Sequence, residues 1–210
     1  MLQEIYILDL IGTFTFAVYG SYFALKNDFD ILGVFVCAFL TAVGGGTIRE
    51  LVLGNVPFYF FDNNYLLAII IAVTFTIFIY RFFNKIRRFA LVLDSIGLVT
   101  FAFIGASKAS DLGLGLVAIT FCATVTAVGG GMLRDIVLGK IPEIMRRDFY
   151  ASVAILLGII YGSTEIEMGN FLWANLLIAT CLVIRLAAIF FKINLWKPIK
   201  QESVSSEQGV

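Results

Sequence analysis

The chain contains an internal repeat: the segment 9–57 returns, without a gap, as the segment 94–142. The alignment pairs LDLIGTFTFAVYG with LDSIGLVTFAFIG, and TAVGGGTIRELVLGNVP with TAVGGGMLRDIVLGKIP. About 22 of 50 paired residues from position 8 onward are identical. Two copies at so long a period are too few for a solenoid. In an apolar chain such a repeat indicates a membrane protein built from two copies of one unit, with a candidate pathway between them.

Composition agrees with a membrane protein. Hydrophobic residues make up 60% of the chain and charged residues only 14%, whereas a typical soluble domain is about 25% charged. The formal net charge is zero, so there is no basic field for nucleic acid. The chain has no histidine, the commonest general base and metal ligand, and its cysteines stand singly in apolar stretches. We therefore predict no enzymatic activity, no metal site, no cofactor and no nucleic-acid partner.

Seven apolar stretches are candidate transmembrane helices, because about 20 apolar residues cross a bilayer as a helix. Two of them reach a useful length only if the helix continues through a run of three glycines. We therefore predict an all-α membrane protein with seven transmembrane helices. The predicted spans are Ile5–Leu25, Ile31–Val43 with its following glycines, Tyr65–Tyr80, Phe89–Ser107, Leu114–Val128 with its following glycines, Phe149–Tyr161 and Phe171–Phe191.

Positive charges indicate the orientation, since cytoplasmic loops carry an excess of lysine and arginine. Cations cluster after the third, fifth and seventh spans, which end on the same side of the membrane in a seven-span protein. The amino terminus is therefore predicted to lie outside and the carboxyl terminus in the cytoplasm. The cations are Arg81, Lys85, Arg87, Arg88, Lys140, Arg146, Arg147, Lys192, Lys197 and Lys200.

Each copy of the repeat contains three spans, and this odd number makes the second copy enter the membrane from the opposite face. The predicted fold is thus two inverted three-helix repeats, at 1–88 and 89–165, followed by a seventh helix at 166–195. The seventh helix lies outside the repeat and would serve packing or oligomer contacts. Residues 196–210 are polar, lack aromatic side chains and are predicted to form a disordered cytoplasmic tail.

Three consecutive glycines occur at the same place in both copies. Each glycine weakens a helix by roughly 1 kcal/mol relative to alanine, so the matched positions suggest a purpose. One interpretation is a broken or kinked helix whose carbonyl groups face a water-filled path. The alternative is close packing of helices through small residues. The candidate residues are Gly44, Gly45, Gly46, Gly129, Gly130 and Gly131.

An arginine and a carboxylate follow each glycine run: Arg49 with Glu50, and Arg134 with Asp135. Charges at this depth either reach water at a helix end or pair inside the bundle. Structural ion pairing and a position beside a pore are both open, and the two can hold together. Neighbouring residues on a helix point about 100° apart, so Glu50 and Asp135 are predicted to be poor partners for the adjacent arginines.

Asp9 and Asp94 occupy matched positions near the start of the first and fourth spans. Simple capping of a helix amino terminus would explain them. The inverted arrangement indicates more, because it places Asp9 at the depth of Arg49 and Asp94 at the depth of Arg134. We therefore predict one Asp–Arg salt bridge in each half, flanking a pore just beyond the glycines.

Thr41 and Thr126 precede the glycine runs by one turn and are matched across the copies. Hydroxyls on helices usually bond to their own backbone, and the alternative is that these two line a pore. Lys108 lies near the far end of the fourth span, and the equivalent position of the first copy is Phe23. Lys108 would either extend to the membrane interface or project into a vestibule of the pore.

The TAVGGGxxR[ED] element, present twice, resembles the trimeric intracellular cation channels and their prokaryotic relatives. The resemblance covers roughly residues 1 to 195 and the order of three, three and one spans. It implies a homotrimer in a bacterial inner membrane, in which every protomer contains its own pore lined by glycine-kinked second and fifth spans. The implied function is a monovalent cation channel, with potassium as the expected permeant ion and sodium as the other candidate.

Related bacterial proteins have been described as glycine transporters, so the alternative is a secondary transporter of a small zwitterion such as glycine. Helix ends at the glycine runs would then hold the carboxylate and the ammonium of the substrate. The animal channels also carry a lysine-rich element and bind inositol lipids. This sequence has no clear counterpart of that element beyond Lys108 and the basic cytoplasmic loops, and membrane lipids are predicted as partners.

Overall fold

The computed structural model describes residues 2–80, 86–145, 150–164 and 171–191. Within these residues the chain forms seven α-helices and two short 3-10 turns, and it contains no β-strand. The turns, at Phe58–Phe60 and Glu143–Met145, follow the second and fifth helices. The helices are α1 (Leu2–Lys26), α2 (Ile31–Val52), α3 (Asn64–Tyr80), α4 (Ile86–Asp111), α5 (Leu116–Val137), α6 (Ala151–Ser163) and α7 (Phe171–Phe190).

Five of these helices, α1, α2, α4, α5 and α7, are long and apolar enough to cross a membrane. α3 and α6 are apolar but shorter, with 17 and 13 residues. At 1.5 Å per residue α6 rises about 20 Å, which is less than the roughly 30 Å of a hydrocarbon core. The predicted all-α membrane fold is confirmed, and both α2 and α5 continue through their glycine runs as predicted.

The ends of α2 and α5 follow from local sequence signals. Asp30 precedes α2, and its Oδ1 accepts a hydrogen bond of 2.7 Å from the backbone nitrogen of Gly33. Gly54 and Gly139 follow α2 and α5 with φ angles of 74° and 64°. This left-handed conformation carries no steric penalty for glycine and commonly ends helices. The leucine–glycine pair after each arginine therefore ends the same helix in both copies.

α2 and α5 pack against each other at the centre of the fold. α1 packs against α2, α3 and α4, while α6 packs against α4 and α5. Small residues such as Ala38 and Ala123 are fully buried in this core, which allows the helices to approach closely. α7 packs against α4 and α6, and much of its surface, including Leu172 and Trp173, is exposed. That apolar surface is available to lipid or to a neighbouring protomer.

Several sequence predictions concern residues outside the described ranges. The predicted orientation and the boundaries of the predicted units therefore stay predictions. The residues concerned are the polar tail at 196–210 and the cations Arg81, Lys85, Arg146, Arg147, Lys192, Lys197 and Lys200, together with the side chains of Arg87 and Arg88.

Candidate functional site

The glycine runs are where the backbones of α2 and α5 meet. A Cβ atom added to Gly45 would collide with the carbonyl oxygen of Thr126, and one added to Gly130 would collide with the carbonyl oxygen of Thr41. A Cβ atom on Gly129 would lie 3.0 Å from the Cα of Gly45. The contact is reciprocal, as two copies related by a two-fold axis require. The glycines therefore allow close packing of two unbroken helices, which was the alternative to a broken helix.

The third glycine of each run leaves room for a side chain of the neighbouring charged region. A Cβ atom on Gly46 would lie 2.7 Å from the Phe58 ring and 3.8 Å from Nη2 of Arg49. A Cβ atom on Gly131 would lie 3.3 Å from the hydroxyl of Tyr150. The last glycine of each run thus lies between the crossing of α2 and α5 and the charged side chains that follow it, and its missing side chain leaves space for them.

The hydroxyls of Thr41 and Thr126 bond within their own helices. Thr41 Oγ1 donates a hydrogen bond of 2.6 Å to the carbonyl oxygen of Cys37, and Thr126 Oγ1 donates one of 2.6 Å to that of Cys122. Both threonines are buried. This is the bond that helical threonines usually make. A pore-lining role for them stays a prediction.

A first group of buried charges, which we name the Arg49 cluster, surrounds the end of α2. The guanidinium of Arg49 donates hydrogen bonds of 3.1 and 2.6 Å to Oε1 of Glu50, and both side chains are buried. Lys108 Nζ, from α4, lies 2.8 Å from the same oxygen. Both cations lie over the Phe58 ring, at 5.9 Å for Arg49 and 5.4 Å for Lys108. Lys108 thus projects inward to a carboxylate rather than out to the interface.

A second group, the Arg134 cluster, occupies the equivalent place at the end of α5. Arg134 is fully buried, and its Nη2 lies 2.8 Å from Oδ1 of Asp135 and 3.5 Å from Oε2 of Glu143. The guanidinium carbon lies 4.7 Å from the ring centres of both Tyr19 and Phe23. The hydroxyl of Tyr19 donates a hydrogen bond of 3.3 Å to Glu143. Aromatic faces and carboxylates together compensate this buried cation.

The two clusters occupy matched positions but differ in composition. Phe23 in the Arg134 cluster corresponds to Lys108 in the Arg49 cluster, and Glu143 corresponds to Phe58. The second cluster therefore has a ring where the first has an ammonium group, and a carboxylate where the first has a ring. The repeat preserves the arginine and its adjacent acid and varies the residues around them.

Asp9 and Asp94 each accept a hydrogen bond from a tyrosine. The hydroxyl of Tyr65 donates a bond of 2.9 Å to Oδ2 of Asp9, and that of Tyr150 donates one of 3.1 Å to Oδ1 of Asp94. Both aspartates are buried, with exposed fractions of 6% and 1%. Tyr65 lies at the start of α3 and Tyr150 lies just before α6, which are equivalent places of the two copies. Each copy of the repeat thus contains the same hydrogen-bonded pair of aspartate and tyrosine.

The predicted salt bridges between Asp9 and Arg49 and between Asp94 and Arg134 are wrong. Each arginine instead forms its short contact with the acid that follows it in the sequence, as in the 2.6 Å contact of Arg49 with Glu50. The prediction relied on the 100° between adjacent helical positions. A long arginine side chain can turn back along the helix surface, so its head group overcomes that divergence.

Capping does not explain the two aspartates. α1 begins at Leu2 and α4 at Ile86, so Asp9 and Asp94 lie about two turns inside their helices. A carboxylate so far from the helix end gains little from the unpaired amide groups of the first turn. Their hydrogen bonds to tyrosine hydroxyls take the place of capping.

Tyr19, Phe58 and Glu143 of the two clusters were not predicted from the sequence, and neither were three buried residues close to Asp9 and Asp94. Tyr65 and Tyr150 are separated by the same interval as the two copies, so extending the alignment beyond Pro57 and Pro142 would have found them. Arg185 is the third: it is a charged residue in the apolar α7, is 2% exposed, and lies 4.9 Å from the Tyr150 ring centre. A charge inside a transmembrane segment is itself a signal of function.

A separate polar group lies near the start of α3. The hydroxyl of Tyr6 donates a hydrogen bond of 2.6 Å to Oδ2 of Asp62, and the backbone nitrogen of Asn64 donates one of 2.9 Å to Oδ1. The bond from Tyr6, followed by that from Asn64, lowers the pKa of the Asp62 carboxyl. This group connects the segment before α3 to α1.

Comparison with known proteins identifies the family. The profile of the family described as "Glycine transporter" matches residues 6–81 and 91–164. The chain belongs to this family. An inner membrane relative, the UPF0126 protein YadS of Escherichia coli strain K12, is 35% identical over 199 residues, which cover 91% of this chain and 94% of YadS. The family assignment therefore extends over nearly the whole chain.

Solved structures of TRIC cation channels share the fold of this family member. A prokaryotic TRIC channel crystallised in 0.5 M KCl superimposes with a TM-score of 0.86 and 29% identity, covering 93% of this chain and all of that one. The TRIC trimeric intracellular cation channel orthologue from Rhodobacter sphaeroides gives a TM-score of 0.83 and 33% identity over 90% of this chain and 99% of that one. The predicted resemblance and the predicted fold of two inverted repeats plus a seventh helix are confirmed.

Proposed function

We propose that this protein is a monovalent cation channel that passes potassium, with one pore in each protomer of a homotrimer. The observation that carries the proposal is the similarity to a TRIC channel over 93% of this chain and all of that one, with a TM-score of 0.86. The identity of 29 to 33% to such channels is well above the range in which only the fold is shared. One of those relatives is described as trimeric, which supports the homotrimer.

The charged clusters support a conducting role. The Arg49 cluster places one carboxylate and two cations, and the Arg134 cluster two carboxylates and one cation, beyond the glycine crossing of α2 and α5. Ionisable residues inside a membrane protein mark ion paths, because they are costly anywhere but beside water or a partner. Carboxylate oxygens stabilise a partly dehydrated cation, so the Arg134 cluster, with two acids to one cation, favours cations over anions. We propose that the pore runs past both clusters.

The proposal includes the location and direction of the chain. We propose a bacterial inner membrane, an external amino terminus and a cytoplasmic carboxyl terminus. The description of the relative YadS as an inner membrane protein supports the location. The excess of lysine and arginine after the third, fifth and seventh spans supports the direction.

A secondary transporter of glycine is the second candidate, and the description of the family favours it. Such a site would use helix ends at the glycine runs to hold the substrate carboxylate and ammonium groups. α2 and α5 run unbroken through Gly44–Gly46 and Gly129–Gly131, so these residues offer no free helix ends. The arrangement therefore favours the channel.

The two candidates differ in a flux assay on proteoliposomes. Purified protein is reconstituted into vesicles loaded with potassium, and both potassium efflux and uptake of radiolabelled glycine are measured. A channel gives rapid potassium efflux that glycine does not change, and no glycine accumulation. Glycine accumulation with slow or absent potassium efflux would reject the channel in favour of the transporter. Vesicles without protein provide the baseline for both readings.

A further inference from the structure

Arg185 is a buried charge that the pore described above does not use. It lies in α7, whose other residues are apolar or small apart from one asparagine and one threonine, and only 2% of its surface is exposed. α7 is the most exposed of the five long apolar helices, with only 22% of its most apolar stretch buried. A charged side chain turned inward on an outward-facing helix requires a partner that compensates it.

The contacts of Arg185 connect α7 to the aspartate of α4. The guanidinium carbon of Arg185 lies 4.9 Å from the ring centre of Tyr150, which precedes α6. The hydroxyl of Tyr150 donates a hydrogen bond of 3.1 Å to Oδ1 of Asp94. All three side chains are buried. A cation on the face of a phenol ring withdraws electron density from it and strengthens its hydroxyl as a donor.

Arg134 would compete for the same carboxylate. Its Nη1 and Nη2 are buried and have no hydrogen-bond acceptor of good geometry in the described part of the chain. A Cβ atom on Gly131 would lie 3.3 Å from the Tyr150 hydroxyl and 3.9 Å from Arg134 Nη2, so the two groups flank the same glycine. An Asp94 carboxylate released by Tyr150 would therefore have a cation close by.

We propose that Arg185 is a positioning residue that acts through Tyr150 to hold Asp94 away from Arg134 and toward the ion path. This inference rests on the proposed channel function and adds a role for α7, which lies outside the repeat. Through this chain of contacts, a neighbouring protomer or lipid that moves α7 would alter the charge available to the permeating cation.

The first copy of the repeat provides a matched control. Tyr65 donates to Asp9 as Tyr150 donates to Asp94. In the described part of the chain no cation lies over the Tyr65 ring, and α7 has no counterpart in the first copy. Tyr65→Phe therefore removes an equivalent hydroxyl that Arg185 does not influence.

The test is a double-mutant cycle read by unitary potassium current in planar bilayers. Arg185→Met and Tyr150→Phe should each lower the current about twofold, since a unit charge near a wet path changes the local cation concentration by about that factor. The double variant should show no further loss. Arg185→Lys, which keeps a cation over the ring, should retain most of the wild-type current. The control pair, Arg185→Met with Tyr65→Phe, should show the product of its two single effects.

Two results would overturn the inference while leaving the channel intact. The first is a wild-type unitary current in Arg185→Met. The second is a double variant of Arg185 and Tyr150 in which the current falls by the product of the factors seen in the two single variants. If Arg185→Met fails to assemble by size-exclusion chromatography, Arg185→Gln takes its place in the cycle with the same expected results. Tyr150→Phe should also lower the current by the same factor as Asp94→Asn and as the double variant of Tyr150 and Asp94, and a wild-type current in Tyr150→Phe would reject the positioning role. A silent wild-type protein would instead contradict the proposed function itself.

Discussion

Gly45 of α2 lies against the backbone carbonyl of Thr126 in α5, and Gly130 makes the same contact with Thr41. No side chain fits between the two helices at these points. Gly45→Ala and Gly130→Ala should therefore each lower the free energy of unfolding by about 1 to 3 kcal/mol, the usual cost of overpacking. The measurement is thermal denaturation of the purified protein in detergent.

The control for these variants is Gly115→Ala. Gly115 precedes α5 with an extended backbone, and a Cβ atom there meets nothing within 4 Å. This substitution should lower the free energy of unfolding by less than about 1 kcal/mol, because alanine is a poorer N-cap than glycine but meets no neighbouring atom. Equal stability of all three variants would mean that the crossing of α2 and α5 is looser than described.

Glu50 is the shared partner of two cations, so loss of its charge should destabilise the Arg49 cluster more than loss of any other charge in it. Glu50→Gln leaves Arg49 buried without its ion pair and also removes the contact of Lys108. The expected loss is about 3 to 5 kcal/mol of unfolding free energy, as for other broken buried pairs. Lys108→Met should cost less than about 1 kcal/mol, because that side chain is 35% exposed. Equal losses for the two variants, measured by thermal denaturation, would argue against a buried pair.

Tyr65 supplies the hydrogen bond that satisfies the buried Asp9. Tyr65→Phe should lower the unfolding free energy by about 1 to 3 kcal/mol, the cost of leaving a buried acceptor without its donor. Tyr22→Phe is the matched control, because in the described residues the Tyr22 hydroxyl makes no hydrogen bond while its ring packs against Phe23 and Tyr80. A control variant as unstable as Tyr65→Phe would show that the loss of a tyrosine hydroxyl has this cost without any bond to a buried aspartate.

The inverted orientation of the copies makes a labelling prediction. Asn55 and Lys140 occupy the same position of the repeat, after α2 and α5, and both are exposed. The native cysteines are buried and can be replaced by serine to remove background. An impermeant maleimide should label Asn55→Cys from outside the cell and Lys140→Cys only after the membrane is opened. Labelling of both from the same side would contradict the inverted arrangement.

The fold could be predicted because its determinants are local or repeated. Apolar length gave the helices, and the duplicated motif gave their grouping. The glycine runs of α2 and α5 were found, but the sequence left open whether they break the helices or pack them. That choice depends on what faces Gly45 across the crossing, and the answer is the carbonyl of a residue 81 positions away.

The partners of the charged residues could not be deduced from depth alone. Asp9 and Arg49 lie on two helices that pack together, α1 and α2, yet the rotamer of the arginine directs its head group to Glu50. Rotamers follow from packing that a single sequence does not contain. Tyr65 and Tyr150 were available from the repeat interval and were missed because identity fades after Pro57. Arg185 carried its own signal, a charge inside an apolar helix.

Single-channel recording tests the channel most directly. Purified wild-type protein in a planar bilayer, with potassium chloride on one side and sodium chloride on the other, should give discrete current steps whose reversal potential favours potassium. Glu50→Gln and Glu143→Gln should reduce the current if both clusters flank the path. A bilayer that stays electrically silent, with protein shown by labelling to be inserted and trimeric, would contradict the account.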